Sequence, residues 1–91
     1  MDELQVCREE ISAIDAELRA LFLRRMEVSR RIGTYKREHG LPVTDAGRED
    51  VVLKSACAGL ESPLRELTAE LFRTLISLSK AYQTQSGENA P

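Results

Sequence analysis

The sequence is poor in the residues that carry conspicuous chemistry: in 91 positions it has one histidine, two cysteines, two tyrosines, two phenylalanines and no tryptophan. Cys7 and Cys57 have no metal-ligand spacing, and without secretory features they read as reduced thiols, not a disulfide. Cys7 falls on an apolar helical stripe, where a thiol packs as a small hydrophobe. The lone His39 stands beside Gly40 and Pro42, at a helix end where an imidazole meets the last carbonyl groups, so it is assigned no ligand or catalytic role. There is no Cys/His or Ser/His pairing for a nucleophile, no glycine-rich phosphate loop and no metal set, so neither metal nor cofactor is expected. No apolar run reaches the roughly 18 residues of a membrane span and no signal peptide opens the chain, which predicts a cytoplasmic protein with no membrane partner. The net charge is −2, so nothing global steers the chain to nucleic acid. Positive charge does gather at Arg24, Arg25, Arg30, Arg31, Lys36 and Arg37, but no aromatic residues interleave along it as a nucleic-acid surface requires.

What is present is a long helical signal. Between Leu4 and Lys36 apolar residues recur at Leu4, Cys7, Ile11, Ile14, Leu18, Leu21, Val28 and Ile32, a three-four alternation that reads as one helix with a heptad seam. The position after Leu21 in that series is Arg25. A guanidinium on a seam is costly unless something pairs it, so Arg25 is the first sign of a site. The helix spans roughly 48 Å at 1.5 Å per residue. A compact chain of this length has a radius of gyration of only about 12 Å, so its own chain cannot cover the helix and a homodimer is predicted.

Met1 to Glu3 should fray, and the first helix should run to about Glu38, closed by His39, Gly40 and Pro42. Gly33 inside it reads as a close helix contact. Asp45 caps a second helix over Ala46 to Ala58, ended by Gly59, and Gly47 in its first turn suggests a loose start. Ser62 and Pro63 open the third helix as N-cap and first helical residue. Its stripe of Leu64, Leu67, Leu71, Leu75 and Leu78 is expected to face the core. A second stripe, Phe72, Ile76, Ser79 and Gln83, turns polar as a helix does on passing from core into a pocket. With no strand pattern and no repeat, the fold class is all-α, with three helices, long, short and long, as one domain over residues 1–83. Residues 84–91 are polar and aperiodic and read as a disordered tail.

On a helical wheel Arg25 and Lys36 lie about 20° apart and about 16 Å apart along the axis, so their side chains can lean together onto a small anion. Arg8 is roughly 25 Å from Arg25 and can share that ligand only if a second, antiparallel copy of the helix brings its own Arg8 alongside. Arg48 and Glu49 add a cation and an acceptor, and Ser79 and Gln83 add neutral hydrogen-bonding groups. The inventory suits a polyanion held by cations.

These residues resemble the all-helical class of chorismate mutases. The likeness covers Leu4 to Gln83 and rests on Arg8-Glu9-Glu10-Ile11, Ile14-Asp15, Arg24-Arg25, Gly33-Thr34-Tyr35-Lys36, Pro42-Val43-Thr44-Asp45, Arg48-Glu49 and Ser79 with Gln83, at the family's spacing. The resemblance implies an intertwined helical homodimer with two equivalent pockets that rearranges chorismate to prephenate, a step in phenylalanine and tyrosine biosynthesis. It implies that Arg25 clamps the side-chain carboxylate, while Arg8 of the other subunit clamps the ring carboxylate with Ser79 assisting. Lys36 and Gln83 donate to the ether oxygen, Glu49 and the backbone near Asp45 accept from the ring hydroxyl, and Arg48 helps enclose the substrate. A pericyclic step moves no proton and needs no nucleophile, in keeping with what the sequence lacks. Two alternatives remain at this stage. Isochorismate-pyruvate lyases use the same scaffold, although Asp45 and Glu49 match the mutase pattern, and a non-enzymatic helical dimerisation module leaves Arg25 on the seam unexplained.

Overall fold

The computed structural model of the chain describes residues 2–89, with side chains described through residue 85. Among the described residues there are three helices and no strand: α1 (Glu3–Glu38), α2 (Ala46–Cys57) and α3 (Leu64–Asn89). None of them is long and apolar enough to cross a membrane.

The helix ends follow local chemistry. Asp2, expected to fray, instead caps α1, its carboxylate accepting from the Gln5 backbone N–H at 2.7 Å, so Glu3 is already helical. At the other end the Gly40 N–H donates to the Arg37 carbonyl at 3.3 Å and the Leu41 N–H to the Lys36 carbonyl at 2.8 Å. This double closure satisfies carbonyls that the helix leaves over, and it requires the left-handed φ of 64° that Gly40 adopts. Asp45 caps α2, accepting from the Arg48 N–H at 3.0 Å, and α2 ends at Cys57, one residue before the expected Ala58. α3 begins at Leu64, one residue after the expected Pro63. The Ser62 hydroxyl donates to the Glu66 carboxylate instead of capping, and that bond lowers the Glu66 pKa. At its far end α3 continues to Asn89, past the Gln83 boundary drawn for the polar tail. Extending a formed helix adds a hydrogen bond per residue with no new nucleation, and no proline intervenes before Pro91. Residues 90 and 91 of that tail lie outside the described residues.

α3 packs against both α1 and α2, which do not pack against each other. Two contacts show that α1 and α3 run in the same direction with a constant offset. A Cβ added to Gly33 would stand 2.8 Å from the Gln83 carbonyl oxygen and 2.9 Å from its Cα, and eight residues earlier Arg25 reaches the Leu75 carbonyl. Gly33 is therefore the close helix contact that its position suggested.

Around this crossing the buried residues are Ser29 and Gly33 of α1 and Ile76, Ser79 and Gln83 of α3. Ile76 is the only large apolar side chain among them. The seam of α1 is uncovered: Leu4, Ile11, Ile14, Leu18 and Leu21 are all more than half exposed. The leucine stripe of α3, expected to face the core, does not do so within this chain, because Leu64, Leu67 and Leu71 are also more than half exposed and only Leu75 is half-buried. The stripe that turns polar is the one laid against α1, and with one neighbour on that side α3 leaves its leucines outward. The chain is correspondingly extended, 55 × 31 × 14 Å with a radius of gyration of 16.6 Å, against about 12 Å for a compact chain of this length.

Replacing Gly33 by Ala tests the crossing. Helix propensity alone favours Ala by about 1 kcal/mol, whereas a methyl forced onto backbone atoms costs roughly 1–3 kcal/mol. Because the obstacle is the Gln83 backbone and not a flexible side-chain end, Gly33→Ala is expected to lower the urea midpoint; an equal or raised midpoint would contradict the close approach.

Candidate functional site

The α1–α3 register sets the floor of a cavity of about 420 Å³ that α2 closes from the side. One face of α1 supplies Arg25, Ser29, Ile32 and Lys36, which follow one another at spacings of three or four and so share a stripe. α3 supplies Ile76, Ser79, Lys80 and Gln83 by the same rule, and the first turn of α2 with its cap supplies Asp45, Arg48 and Glu49. Val28, Val43 and Val52 complete an apolar lining.

Each polar residue has a local reason for its place. Arg25 is half-buried, and its guanidinium donates to the Ser79 hydroxyl and, at 3.4 Å, to the Leu75 carbonyl. Both acceptors are neutral, so the seam cation is anchored without being neutralised. Lys36 donates to the Val43 carbonyl at 2.7 Å, pinning the loop between α1 and α2. An ammonium has three N–H bonds, so two remain for a ligand. Gln83 is buried, and its side-chain oxygen has no hydrogen-bond partner. A buried amide oxygen left unpaired costs stability, which singles Gln83 out among the residues lining the cavity. The Asp45 carboxylate is engaged in capping α2, and the cap aligns the first turn so that Arg48 and Glu49 line the cavity.

Seven of the eight residues singled out from the sequence thus line one space: Arg25, Lys36, Asp45, Arg48, Glu49, Ser79 and Gln83. Arg8 does not. It is exposed near the start of α1, and on the offset between the helices it lies beyond the first residue of α3. Sequence reasoning missed Ser29 and Lys80. The available signal was periodicity, since Ser29 lies four residues after Arg25, and Ile76, Lys80 and Gln83 follow at four and three. Lys80 was not singled out, yet its ammonium lies 3.2 Å from Oε2 of Glu49. That oxygen is sealed from water and has no aligned hydrogen bond, so the contact with Lys80 is one of charge with charge. Four cations, Arg25, Lys36, Arg48 and Lys80, therefore face two carboxylates, Asp45 and Glu49. Among the described residues the cavity carries two positive charges in excess.

An all-helical frame thus surrounds a small, partly apolar cavity with surplus cations and the neutral side chains of Ser79 and Gln83. Over residues 7–84 the sequence matches the family described as chorismate mutase type II, and the chain belongs to that family. It is 33% identical over 76 residues to the T-protein of Haemophilus influenzae, an alignment that takes in 84% of this chain and 20% of that protein. The chain thus spans about a fifth of the length of this curated relative. No solved structure matches it significantly.

Proposed function

We propose that the cavity binds chorismate and turns it into prephenate as an isomerase of aromatic amino acid biosynthesis, without a cofactor. The observation that carries this reading is the charge count: two surplus positive charges around a small, partly apolar space suit a compact dicarboxylate with an unsaturated ring. The rearrangement is intramolecular. Catalysis therefore consists of holding the folded, chair-like conformer and stabilising negative charge at the ether oxygen as its bond breaks. Arg25, set by Ser79 and the Leu75 carbonyl, clamps the side-chain carboxylate. Lys36 and Gln83 donate to the ether oxygen, the amide in the orientation that turns its N–H inward. Glu49 and the backbone beside Asp45 accept from the ring hydroxyl, and Arg48 closes over the bound substrate.

None of these roles clamps the ring carboxylate; the family resemblance gives that part to Arg8, which cannot reach this cavity from its own chain. A second copy supplies both missing parts in this reading. Laid antiparallel along the exposed seam, it covers Leu4, Ile11, Ile14, Leu18 and Leu21 and brings its own Arg8 to the cavity. The functional unit is then an intertwined homodimer with two shared pockets, working in the cytoplasm.

The shared pocket is tested by mixing variants. Arg8→Ala and Arg25→Ala are each expected to be nearly inactive on chorismate, and their mixture to regain activity in heterodimers with one pocket free of both lesions. Verified subunit exchange with no return of activity would contradict sharing. Lys36 is tested by Lys36→Met, which keeps most of the stem and removes the charged donor. Loss of one such donor costs on the order of 3 kcal/mol in the transition state, about a hundredfold in kcat. Helicity by circular dichroism should be unchanged, and a near-normal kcat would remove Lys36 from the reacting bond.

A further inference from the structure

Lys80 has no part in the roles above, yet it lines the cavity and meets the side chain assigned to the substrate hydroxyl. The pair joins α3 to α2, whereas the Arg30–Glu27 and Lys54–Asp50 pairs each lie within one helix. Both members are largely shielded, with side-chain exposures of 33% for Lys80 and 28% for Glu49. The Glu49 oxygen that faces Lys80 is closed to water. A carboxylate so placed needs a cation, because burying an uncompensated charge is costly and like charges repel more strongly where water is excluded. Arg48 is the adjacent residue on α2, and neighbours in sequence do not face each other on a helix. Lys80 supplies the charge from across the groove.

From this geometry we infer that Lys80 is a positioning residue for substrate binding. It holds the Glu49 carboxylate in a fixed place as the acceptor for the ring hydroxyl, and it cancels the repulsion that this carboxylate exerts on an incoming dicarboxylate. The inference rests on the reading of the cavity as the chorismate site. It makes Lys80 act through Glu49 and on binding, with no part at the breaking bond.

The test is a double-substitution cycle on the intact chain, with KM and kcat for chorismate read separately. Lys80→Met leaves the Glu49 charge uncompensated and is expected to raise KM about tenfold while kcat stays within about twofold, the pattern of lost uniform binding. Lys80→Arg keeps the charge and is expected to restore KM. Glu49→Gln removes the charge that Lys80 balances, so adding Lys80→Met to it is expected to change KM by less than about twofold, a coupling that only interacting residues show. Because it removes the repelling charge, Glu49→Gln is expected to bring KM of the double variant back below that of Lys80→Met, whereas a tether that merely joined α2 to α3 would leave the double variant as impaired as Lys80→Met. That result, or an equal loss from Lys80→Met in both backgrounds, would overturn the inference while leaving the functional reading intact. A parent chain inert on chorismate would overturn both.

Discussion

The structure depends on one close approach, that of Gly33 to the backbone of Gln83. Any side chain at position 33 would meet backbone atoms, so the absence of a Cβ lets α1 and α3 cross at that point. From the crossing the register follows, with Arg25 against Leu75 and Ser79 and with Lys36 near the turn of α3 that carries Gln83. A slip of one residue along α3 would rotate its polar stripe by about 100° and empty the site of its neutral donors. The glycine thus links packing to function without touching a ligand.

The same crossing explains why the interior is so polar. Among the described side chains, the buried Ser29, Ser79 and Gln83 outnumber Ile76, a small apolar core for an extended 91-residue chain. The apolar surface that could do so is present but faces outward, along the first half of α1 and the leucine stripe of α3. In the dimer reading, fold and site are completed by one event, since the copy that covers the seam also delivers its Arg8 to the cavity.

Much of this was legible in the sequence because it follows from short-range rules. The end of α1 and the limits of α2 come from Gly40, Asp45 and Gly59, and Arg25 stood out because it interrupts an apolar period. The leucine stripe of α3 misled for a physical reason: periodicity tells which residues share a face but not whether this chain or another covers it. The N-cap at Asp2 was overlooked because chain ends usually fray, and the extension to Asn89 because polar residues add to an existing helix more readily than they start one. Lys80 was hidden because its meaning lies in a carboxylate thirty-one positions away on another helix, a pairing that no spacing within α3 announces.

Electrostatic preorganisation is the common thread: Arg25 held by neutral acceptors, Lys36 pinned yet with donors to spare, Gln83 buried with its oxygen unpaired, and Glu49 balanced by Lys80. On the proposed reading, such an arrangement serves a substrate whose charge shifts within one molecule. The most direct test is to incubate the purified chain with chorismate, follow the loss of chorismate absorbance and identify the product. The account predicts that absorbance falls at a rate proportional to protein and that prephenate is the product; release of pyruvate, or no change beyond the uncatalysed rate, would contradict it.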